Sequence, residues 1–449
     1  MHSEPHFRTT LNSAFDPDRR SLDTRRSLAM ILAGGVGTRL NVLVRHRAKP
    51  AVPFGGIYRL IDFPLSNIMN SGMERVGILT QYLPYSLTDH IGSGHSWGLV
   101  GRLREVRILP PHQGTRGSDW YRGTADAIYR NLSYIHRHDP ELVLILSGDH
   151  IYHMDYTRMI DLHLRSGADA TIAVRRVPLE EAHLFGLVHV DPSGRITGFE
   201  EKPAHPTSNL ISMGIYCFTT TTLIRRLEQM KEEHCDDFGH HVFPDMLRRG
   251  DRLFACPEEG YWQDVGTIKS YFDSHMDMLD PEHPLDLRKW RVRSNMDESR
   301  VGDRPPAWVG PHAAVRRSVI SRGCRIEGTV EDSVLSPGVV VEPGAVVRRS
   351  IVMHDSRIEA GAHLDTVIMD KDCTVGRETM LGGIGAECVN QLYPKHLDTG
   401  ITLLGKGAHI PRNSRLGRNV VVFPHADLAG GGPIEVESGE TVGQPDGSA

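Results

Sequence analysis

Several classes of protein are excluded by what this 449-residue chain lacks. Its 51 lysines and arginines do not outnumber its 56 acids, so it has no basic excess of the kind that favours nucleic acid. No apolar run approaches the roughly 20 residues that a membrane-spanning helix needs. The six cysteines include no Cys-x-x-Cys pair, which argues against a zinc site or a disulfide framework and favours buried free thiols. We therefore expect a cytoplasmic protein that binds neither nucleic acid nor membrane.

The first 27 residues also lack apolar periodicity, although they contain the arginine pairs Arg19–Arg20 and Arg25–Arg26. A twin-arginine export signal would need an apolar run of its own, and the run that follows is short and already fits a buried strand. We expect residues 1–27 to form a mobile tail. The length of the chain exceeds the usual range of one domain, so we expect at least two.

The stretch 28–53 carries the clearest chemical signal. An apolar run suited to a buried parallel strand is followed at once by glycines, whose backbone N–H groups can seat a polyanion such as a nucleoside triphosphate. Arg39 and Lys49 add charges that could reach the same phosphates. A Walker loop would need Gly-Lys-Ser/Thr after the glycines, and a Rossmann fingerprint would need glycine or alanine in place of Leu40. We therefore expect a phosphate-binding loop of another kind, built on Gly34, Gly35 and Gly37.

Further apolar runs, at 76–80, 142–146 and 170–174, predict more buried strands. The stretch Ala125–His138 has its apolar residues on one helical face, and strands that alternate with helices predict an α/β domain with a largely parallel sheet. Ligands of such sheets bind beyond the carboxyl ends of the strands, where the glycine loop, Gln81 and Asp149 would all lie.

Two acids are candidates for holding a metal beside the phosphates. Asp149 follows a strand through Ser-Gly, and Asp264 lies between an aromatic pair and a turn glycine in the stretch YWQDVGT. Two such carboxylates on one Mg²⁺ would suit nucleotidyl transfer, because the metal bridges the acids and the triphosphate. The alternative for each is a helix cap or a turn acid.

From about residue 303 the chain becomes rich in valine, isoleucine and glycine. Aliphatic residues recur every six positions, which fits a parallel β-helix whose hexads each point one aliphatic side chain inward. The inward positions are predicted to be Val334, Val340, Val346, Val352, Ile358 and Leu364, and then Leu404, Ile410, Leu416, Val422, Leu428 and Ile434. Residues from about Asp370 to Thr399 are expected to interrupt the repeat.

Taken in order, the motifs from about Leu28 to about Tyr271 resemble those of bacterial glucose-1-phosphate adenylyltransferases, the ADP-glucose pyrophosphorylase family. The motifs are AGGVGTRL, RAKPAVPFGG, RLIDFPLSN, ILTQY, WYRGTADA, SGDHIY, FGLVHVD, EEKP, SMGIY, DFG and YWQDVGT. The resemblance implies that ATP and α-D-glucose 1-phosphate give ADP-glucose and pyrophosphate with Mg²⁺ as cofactor, as a regulated step of glycogen or other α-glucan synthesis.

Carried over by motif, the resemblance assigns roles to residues of this chain. The nucleotide would contact Gly34, Gly35, Gly37, Thr38 and Gln81. The catalytic residues would be Arg39, Lys49, Asp149 and Asp264, with the last two as metal ligands. The glucose phosphate would contact Tyr121, Gly186, Glu201, Lys202, Ser212 and Asp237.

The resemblance also implies a Rossmann-like catalytic domain, a left-handed β-helix, and a homotetramer controlled by a phosphorylated metabolite. We expect a tail at 1–27, the catalytic domain at 28–290, a linker at 291–306, the β-helix at 307–437 and a tail at 438–449. Several members have lysine after the Phe-Gly-Gly motif for a sugar-bisphosphate activator, but this chain has Ile57. We therefore expect a different preferred effector, with Arg45, Arg47, Arg59 and Lys406 as candidate contacts.

Three alternatives remain open at this point. The nucleotide could be UTP, dTTP or GTP, because the spacing of motifs does not determine the base. The chain could be a catalytically silent regulatory subunit, although Arg39, Lys49, Asp149, Lys202 and Asp264 are all present. Hexapeptide β-helices also occur in acyltransferases, but the histidines of this repeat have no recognisable partner motif.

Overall fold

The computed structural model describes residues 24–443 apart from 112–119, 231–235, 284, 298–300, 427, 429 and 431. The predicted N-terminal tail lies outside the described residues as far as residue 23, and the first strand begins at Ser27. Among the described helices, none combines the length and apolarity that crossing a membrane would require.

The first domain is built on a nine-stranded mixed sheet. Its central strands β4, β1 and β6 are parallel neighbours, and they are buried apolar runs because helices cover both faces of the sheet. Strand β11 pairs antiparallel with β6, β8 and β9. Two further pairings are parallel, β5 with β4 and β12 with β8. The strands of this domain, including two short ribbons, are β1 Ser27–Ala33, β2 Pro53–Phe54, β3 Tyr58–Arg59, β4 Arg75–Thr80, β5 Glu105–Leu109, β6 Leu142–Ser147, β7 His150–Tyr152, β8 Ala170–Arg176, β9 Gly186–Val190, β10 Ile196–Glu201, β11 Leu210–Thr219, β12 Leu253–Pro257 and β13 Trp262–Asp264.

One predicted helix is two helices in the structure. The stretch 125–138 breaks at Asn131, whose side chain donates hydrogen bonds to the Ala127 carbonyl (2.8 Å) and the Tyr121 hydroxyl (3.0 Å). An asparagine that bonds the neighbouring backbone competes with the helical pattern, which explains the break. The helices are α1 Asp62–Asn70, α2 Tyr85–Ile91, α3 Thr124–Arg130, α4 Leu132–His138, α5 Tyr156–Ser166, α6 Thr220–Met230, α7 Phe243–Arg248 and α8 Ile268–Asp277, with a π-helical turn at Phe238–Val242 before α7.

The second domain is a parallel β-helix, as the hexad spacing predicts. Among the described residues, twenty short strands form three sheets in which every pairing is parallel. The first sheet is β14 Trp308–Val309, β17 Arg325–Ile326, β20 Val340–Val341, β23 Arg357–Ile358, β26 Thr374–Val375 and β29 His409–Ile410. The second is β15 Ala314–Arg316, β18 Thr329–Glu331, β21 Val346–Arg348, β24 His363–Asp365, β27 Met380–Leu381, β30 Arg415–Leu416 and β32 Glu435–Val436. The third is β16 Val319–Ile320, β19 Val334–Leu335, β22 Ile351–Val352, β25 Val367–Met369, β28 Thr402–Leu404, β31 Val421–Val422 and β33 Thr441–Val442, the last of which lies beyond the predicted end at 437.

The predicted inward register is wrong in the first coils and right in most of the later ones. Leu335, Val341 and Val347 point into the core, whereas Val340 and Val346 are only half-buried on the outside. The cause is a recurring step of five residues rather than six at the turn into the third sheet, as from Val347 to Val352. The turn before β22 contains Arg349 at φ +43°, and the equivalent turns before β19 and β25 contain Asp332 and Thr366, also with positive φ. Each of these short turns shifts a strict spacing of six by one residue. From Val352 to Val422 the predicted inward positions agree with the structure, whereas Leu428 and Ile434 are only half-buried and Val436 takes the inward place in β32.

The predicted interruption of the repeat also begins later than expected. Strands β26 and β27 continue the coil to Leu381, and the chain leaves it only between 382 and 401. Gly382 and Gly383 have positive φ angles of 64° and 61°, a conformation that glycine adopts without steric cost and that ends the strand. Asn390, fully buried, anchors the excursion by donating to the Asn419 carbonyl (2.9 Å).

The cysteines agree in part with the expectation of buried thiols. Four are buried and free, whereas Cys388 is free but exposed on the excursion from the coil. Cys235 lies outside the described residues.

The two domains share a continuous apolar interface. The outward residues of the third sheet pack against the stretch Leu40–Val44 and helix α8 of the first domain, and one of them, Ile351, is 2% exposed. An ion pair lies within this interface, where Arg47 contacts Asp370 at 3.0 Å through two separate atom pairs. Their side chains are 4% and 1% exposed, so each charge depends on the other for compensation.

We expect Asp370→Ala to lower the free energy of unfolding by about 3 kcal/mol, because it leaves the Arg47 guanidinium buried without its partner. Urea denaturation followed by circular dichroism measures the change. The control is Arg316→Ala, which removes an exposed pair with Glu331 (2.6 Å) and should cost less than about 1 kcal/mol. Equal effects of the two substitutions would mean that the buried pair does not stabilise the domain contact.

Candidate active site

The glycine loop follows β1 at the carboxyl edge of the sheet. Gly37 has φ +67° and precedes a 3₁₀ turn at Thr38–Val44, whose first hydrogen bond runs from the Leu40 N–H to the Gly37 carbonyl (2.9 Å). A Cβ on Gly37 would lie 3.0 Å from the Cβ of Lys49, so the loop and the lysine stem are in close contact. Thr38 and Arg39 are exposed at the start of the turn. The geometry leaves the loop backbone open to a ligand on one side and packed against Lys49 on the other.

Two acids from distant segments meet beside this lysine. Asp149 lies just after β6, and Asp264 ends β13, which pairs with β7 so that Asp264 is opposite His150. The Lys49 ammonium contacts Asp149 Oδ2 at 2.6 Å and Asp264 Oδ1 at 3.4 Å. The structure therefore brings together the three charged groups that the sequence analysis assigned to metal and phosphate chemistry.

The charges of this cluster are mutually stabilised. Burial by itself would raise the pKa of Asp149, but the Lys49 charge, the nearby His150 and hydrogen bonds from Lys49 and Ser147 hold that pKa below its usual value. Burial likewise opposes the charged form of Lys49, and the two carboxylates outweigh it and raise the pKa of the ammonium. At neutral pH Lys49 is therefore an ammonium and Asp149 a carboxylate.

Sequence reasoning did not assign His150 and Trp262, which complete the surroundings of the acids. His150 Nε2 lies 3.6 Å from Asp149 Oδ1 and 3.8 Å from Asp264 Oδ1. The imidazole packs edge-on against Trp262 with ring centroids 5.1 Å apart. The sequence signal that could have identified both residues is their position, because each lies within two residues of a predicted acid.

Gln81 lies on the other side of the glycine loop. A Cβ on Gly34 would be 3.3 Å from the Cβ of Gln81. The Gln81 carboxamide accepts a hydrogen bond from the Tyr121 N–H (2.8 Å) and donates to the Tyr121 carbonyl (3.5 Å). The Tyr121 hydroxyl donates to the Leu109 carbonyl (3.4 Å), so the phenol is anchored toward the sheet and its backbone is anchored to Gln81.

Some of the predicted sugar-phosphate residues lie around Glu201. A Cβ on Gly186 would lie 2.8 Å from the Glu201 carboxylate, and one on Gly239 would lie 2.2 Å from it, so both glycines make room for this acid. Lys202 contacts Glu201 at 3.0 Å and is otherwise well exposed, with φ +45°. The charges of Glu201 and Asp237 contribute to a raised pKa of Tyr216, whose largest cause is burial.

Asp237 and Ser212 have structural contacts of their own. Asp237 Oδ1 accepts hydrogen bonds from the N–H groups of Gly239 (2.9 Å) and His240 (3.0 Å), and Oδ2 accepts one from the Thr124 hydroxyl (2.9 Å). The carboxylate thus caps the π-helical turn. Ser212 is buried at a bulge of β11, where its hydroxyl accepts from the Gly214 N–H (3.2 Å).

The candidate effector residues divide into two groups. Arg45 lies over the Phe423 ring (5.1 Å), and His46 and His425 have ring centroids 5.3 Å apart across the domain interface. The Lys406 carbonyl accepts from the His425 N–H (2.7 Å), which places Lys406 at the same edge of the interface. Arg47 is used by Asp370, as described above. Arg59 is also separate, since it is buried and donates to the Ser86 carbonyl (2.9 Å).

The donor set fits a divalent cation such as Mg²⁺. The two carboxylates already converge on one positive charge, the Lys49 ammonium, which stands in for a cation. In the described part of the chain no group of three or more His, Cys, Asp or Glu side chains is arranged to hold a metal. Two protein carboxylates with further oxygens from phosphate and water are the ligand set that Mg²⁺ commonly takes.

Comparisons with known proteins agree with this geometry. Residues 28–281 match the nucleotidyl transferase family model, and residues 309–404 match the model described as GlmU-like, C-terminal hexapeptide. A glucose-1-phosphate adenylyltransferase of Lachnospira eligens is 44% identical over 420 residues, which are 91% of this chain and 98% of that protein. Proteins of the same name are 41% identical in Acetivibrio thermocellus over 92% of this chain and 97% of the relative, and 51% identical in Halalkalibacterium halodurans over 70% and 81%.

We expect Gly37→Ala to lower the free energy of unfolding by about 1–2 kcal/mol. The alanine backbone would be strained in the left-handed conformation, and its Cβ would press on Lys49. The control is Gly35→Ala, whose Cβ would meet nothing within 4 Å and whose φ is not positive. Urea denaturation of both variants measures the difference. A loss from Gly35→Ala as large as that from Gly37→Ala would contradict the steric account of the loop.

Proposed function

This chain belongs to the glucose-1-phosphate adenylyltransferase family of nucleotidyltransferases, and from that premise we propose how its residues carry out the reaction. The enzyme transfers the adenylyl group of ATP to α-D-glucose 1-phosphate and releases pyrophosphate, with ADP-glucose as the product. The observation that best supports the proposed mechanism is the convergence of Lys49, Asp149 and Asp264 beside the glycine loop.

The glycine loop binds the triphosphate in this proposal. The backbone N–H groups from Gly34 to Thr38 face the phosphates, and Arg39 and Lys49 supply positive charge. Gln81, held by the Tyr121 backbone, lies on the base side of the loop. The arrangement neutralises charge as pyrophosphate departs, which is the principal requirement of this chemistry.

The glucose phosphate binds across the cluster around Glu201. The Glu201 carboxylate accepts hydrogen bonds from sugar hydroxyls, and Lys202 contacts the phosphate. Tyr121, Gly186, Ser212 and Asp237 are the further contacts of the sugar phosphate in this proposal. The phosphate is already an anionic nucleophile and needs no strong general base, so these residues act by aligning it with the α-phosphorus of ATP for in-line attack.

In this proposal Asp149 and Asp264 would hold Mg²⁺. When bound, it would supply Lewis-acid stabilisation of the charge that develops on the phosphates during transfer. Ser147 orients Asp149 through a hydrogen bond to Oδ1, and the His150 imidazole lies against the outer side of both acids.

The purified protein with glucose 1-phosphate and Mg²⁺ is expected to release pyrophosphate with ATP and not with UTP, GTP or dTTP. The control is Asp149→Asn, which should keep the fold and lose turnover by orders of magnitude because a metal-binding carboxylate is gone. Release of pyrophosphate with another nucleotide would mean that the enzyme has the same fold but a different nucleotide substrate. No release with any nucleotide or activator would favour a silent regulatory subunit, and a normal rate for Asp149→Asn would remove that acid from the mechanism.

We also propose control by a phosphorylated metabolite that binds near Arg45 and Lys406. The support is their position at one edge of the domain interface, with Phe423 and the histidine pair between them. Arg47 and Arg59 are weaker candidates, because both donate hydrogen bonds within the protein.

Assays with a panel of phosphorylated glycolytic metabolites test this proposal. We expect at least one activator, and we expect Lys406→Ala to raise its half-maximal concentration by about tenfold because a phosphate contact is lost. The control is Lys269→Ala, which removes an exposed lysine on α8 that pairs with Asp273. A rate that no metabolite changes would refute the proposal.

The finer biological setting is proposed as well. A cytoplasmic enzyme is supported by the free state of all five cysteines in the described ranges.

A homotetramer is supported by the first coil of the β-helix, where Trp308 and Val309 are about half exposed and the strand edges lack partners on one side. Light scattering in solution measures the number of subunits.

A further inference from the structure

The position of Lys49 raises the question of how a metal reaches Asp149 and Asp264. The ammonium contacts oxygens of both acids, and its side chain is 7% exposed. The other oxygen of Asp149 accepts the Ser147 hydroxyl. The two carboxylates thus have a cation of this chain between them already.

A divalent cation and an ammonium compete for these oxygens. Both are attracted to the same carboxylate atoms, and they repel each other at contact distance, most strongly where burial limits screening by water. A displaced Lys49 needs another anion, because a buried charge whose partner is removed is strongly unfavourable. Metal binding alone would create that situation.

The triphosphate provides the anion that Lys49 would need. The Lys49 stem packs against Gly37 and the ammonium contacts the two acids, so this side chain extends from the glycine loop to the acids. Rotation of the flexible stem can transfer the ammonium from carboxylate to phosphate without passage through bulk water. The charges of Lys49 and of the two acids are therefore all compensated after the exchange only when nucleotide and metal bind together.

We propose that Lys49 is the resident counter-ion of Asp149 and Asp264, and that it exchanges the acids for the nucleotide phosphates, so that the acids accept a divalent cation only together with nucleotide. This inference depends on the metal role proposed above for the two acids. It assigns to Lys49 a control over the order of binding in addition to its contact with phosphate.

The test is a titration of the full chain with Mn²⁺ in the absence of nucleotide, in which electron paramagnetic resonance counts the free ion. We expect Lys49→Met to bind Mn²⁺ at least about tenfold more tightly than the wild type, because the competing ammonium is gone. The matched control is Arg39→Met, which removes a positive charge from the same loop but not from between the acids, and it should behave as the wild type does. Mn²⁺ should also raise the melting temperature of Lys49→Met and not that of the wild type.

Two results would overturn the proposal. The first is that the wild type binds Mn²⁺ without nucleotide as tightly as Lys49→Met does. If Lys49→Met does not fold, tight binding of Mn²⁺ by the wild type without nucleotide has the same meaning. The second is an equal gain from Arg39→Met, which would show a general effect of charge. A gain by Lys49→Met that Asp264→Asn abolishes supports the exchange.

The metal role is tested separately. Tight wild-type binding that Asp264→Asn abolishes would leave the metal role intact and refute only the exchange. Absence of Mn²⁺ binding by both the wild type and Lys49→Met would also refute the exchange. The proposed reaction is tested independently, by the pyrophosphate assay.

Discussion

The contact of Lys49 with Asp149 and Asp264 is the constraint on which the site depends. The three residues are separated by 100 and 215 positions along the chain, so the contact requires the end of β6, the β7–β13 ribbon and the loop after β1 to be placed together. Lys49 is buried, and its charge is tolerable there only because the two acids compensate it. The glycine at 37 serves the same contact, since a larger residue there would press on the lysine.

The segment between Arg39 and Lys49 joins this site to the second domain. Its residues Leu40–Val44 belong to the apolar interface with the β-helix, and Arg47 pairs with Asp370 of that domain. The β-helix therefore packs against the segment that directly follows the glycine loop. That segment is a short physical connection between the domain interface and the cluster of Lys49 with the two acids.

The sequence predicted those parts of the structure in which local pattern and tertiary environment agree. Apolar runs predicted β1, β4, β6 and β8, and residues that directly follow such runs, Gln81 and Asp149, lie at the ligand edge because parallel strands end together there. Errors arose where one side chain or one turn changed a local pattern. Asn131 divides a helix by bonding the backbone, and the short turn at Arg349 shifts the hexad register by one residue.

The sequence by itself determined the α/β and β-helix fold class and the glycine turn that follows β1, because glycine spacing, apolar runs and hexads are local properties. Only the tertiary structure decided which charges meet. It paired Arg47 with Asp370 rather than leaving it free for an effector, used Asp237 to cap a helical turn, and placed His150 against both acids. The pairing of Arg47 with Asp370 joins segments far apart in the chain, and burial makes it decisive because an uncompensated charge there is strongly unfavourable.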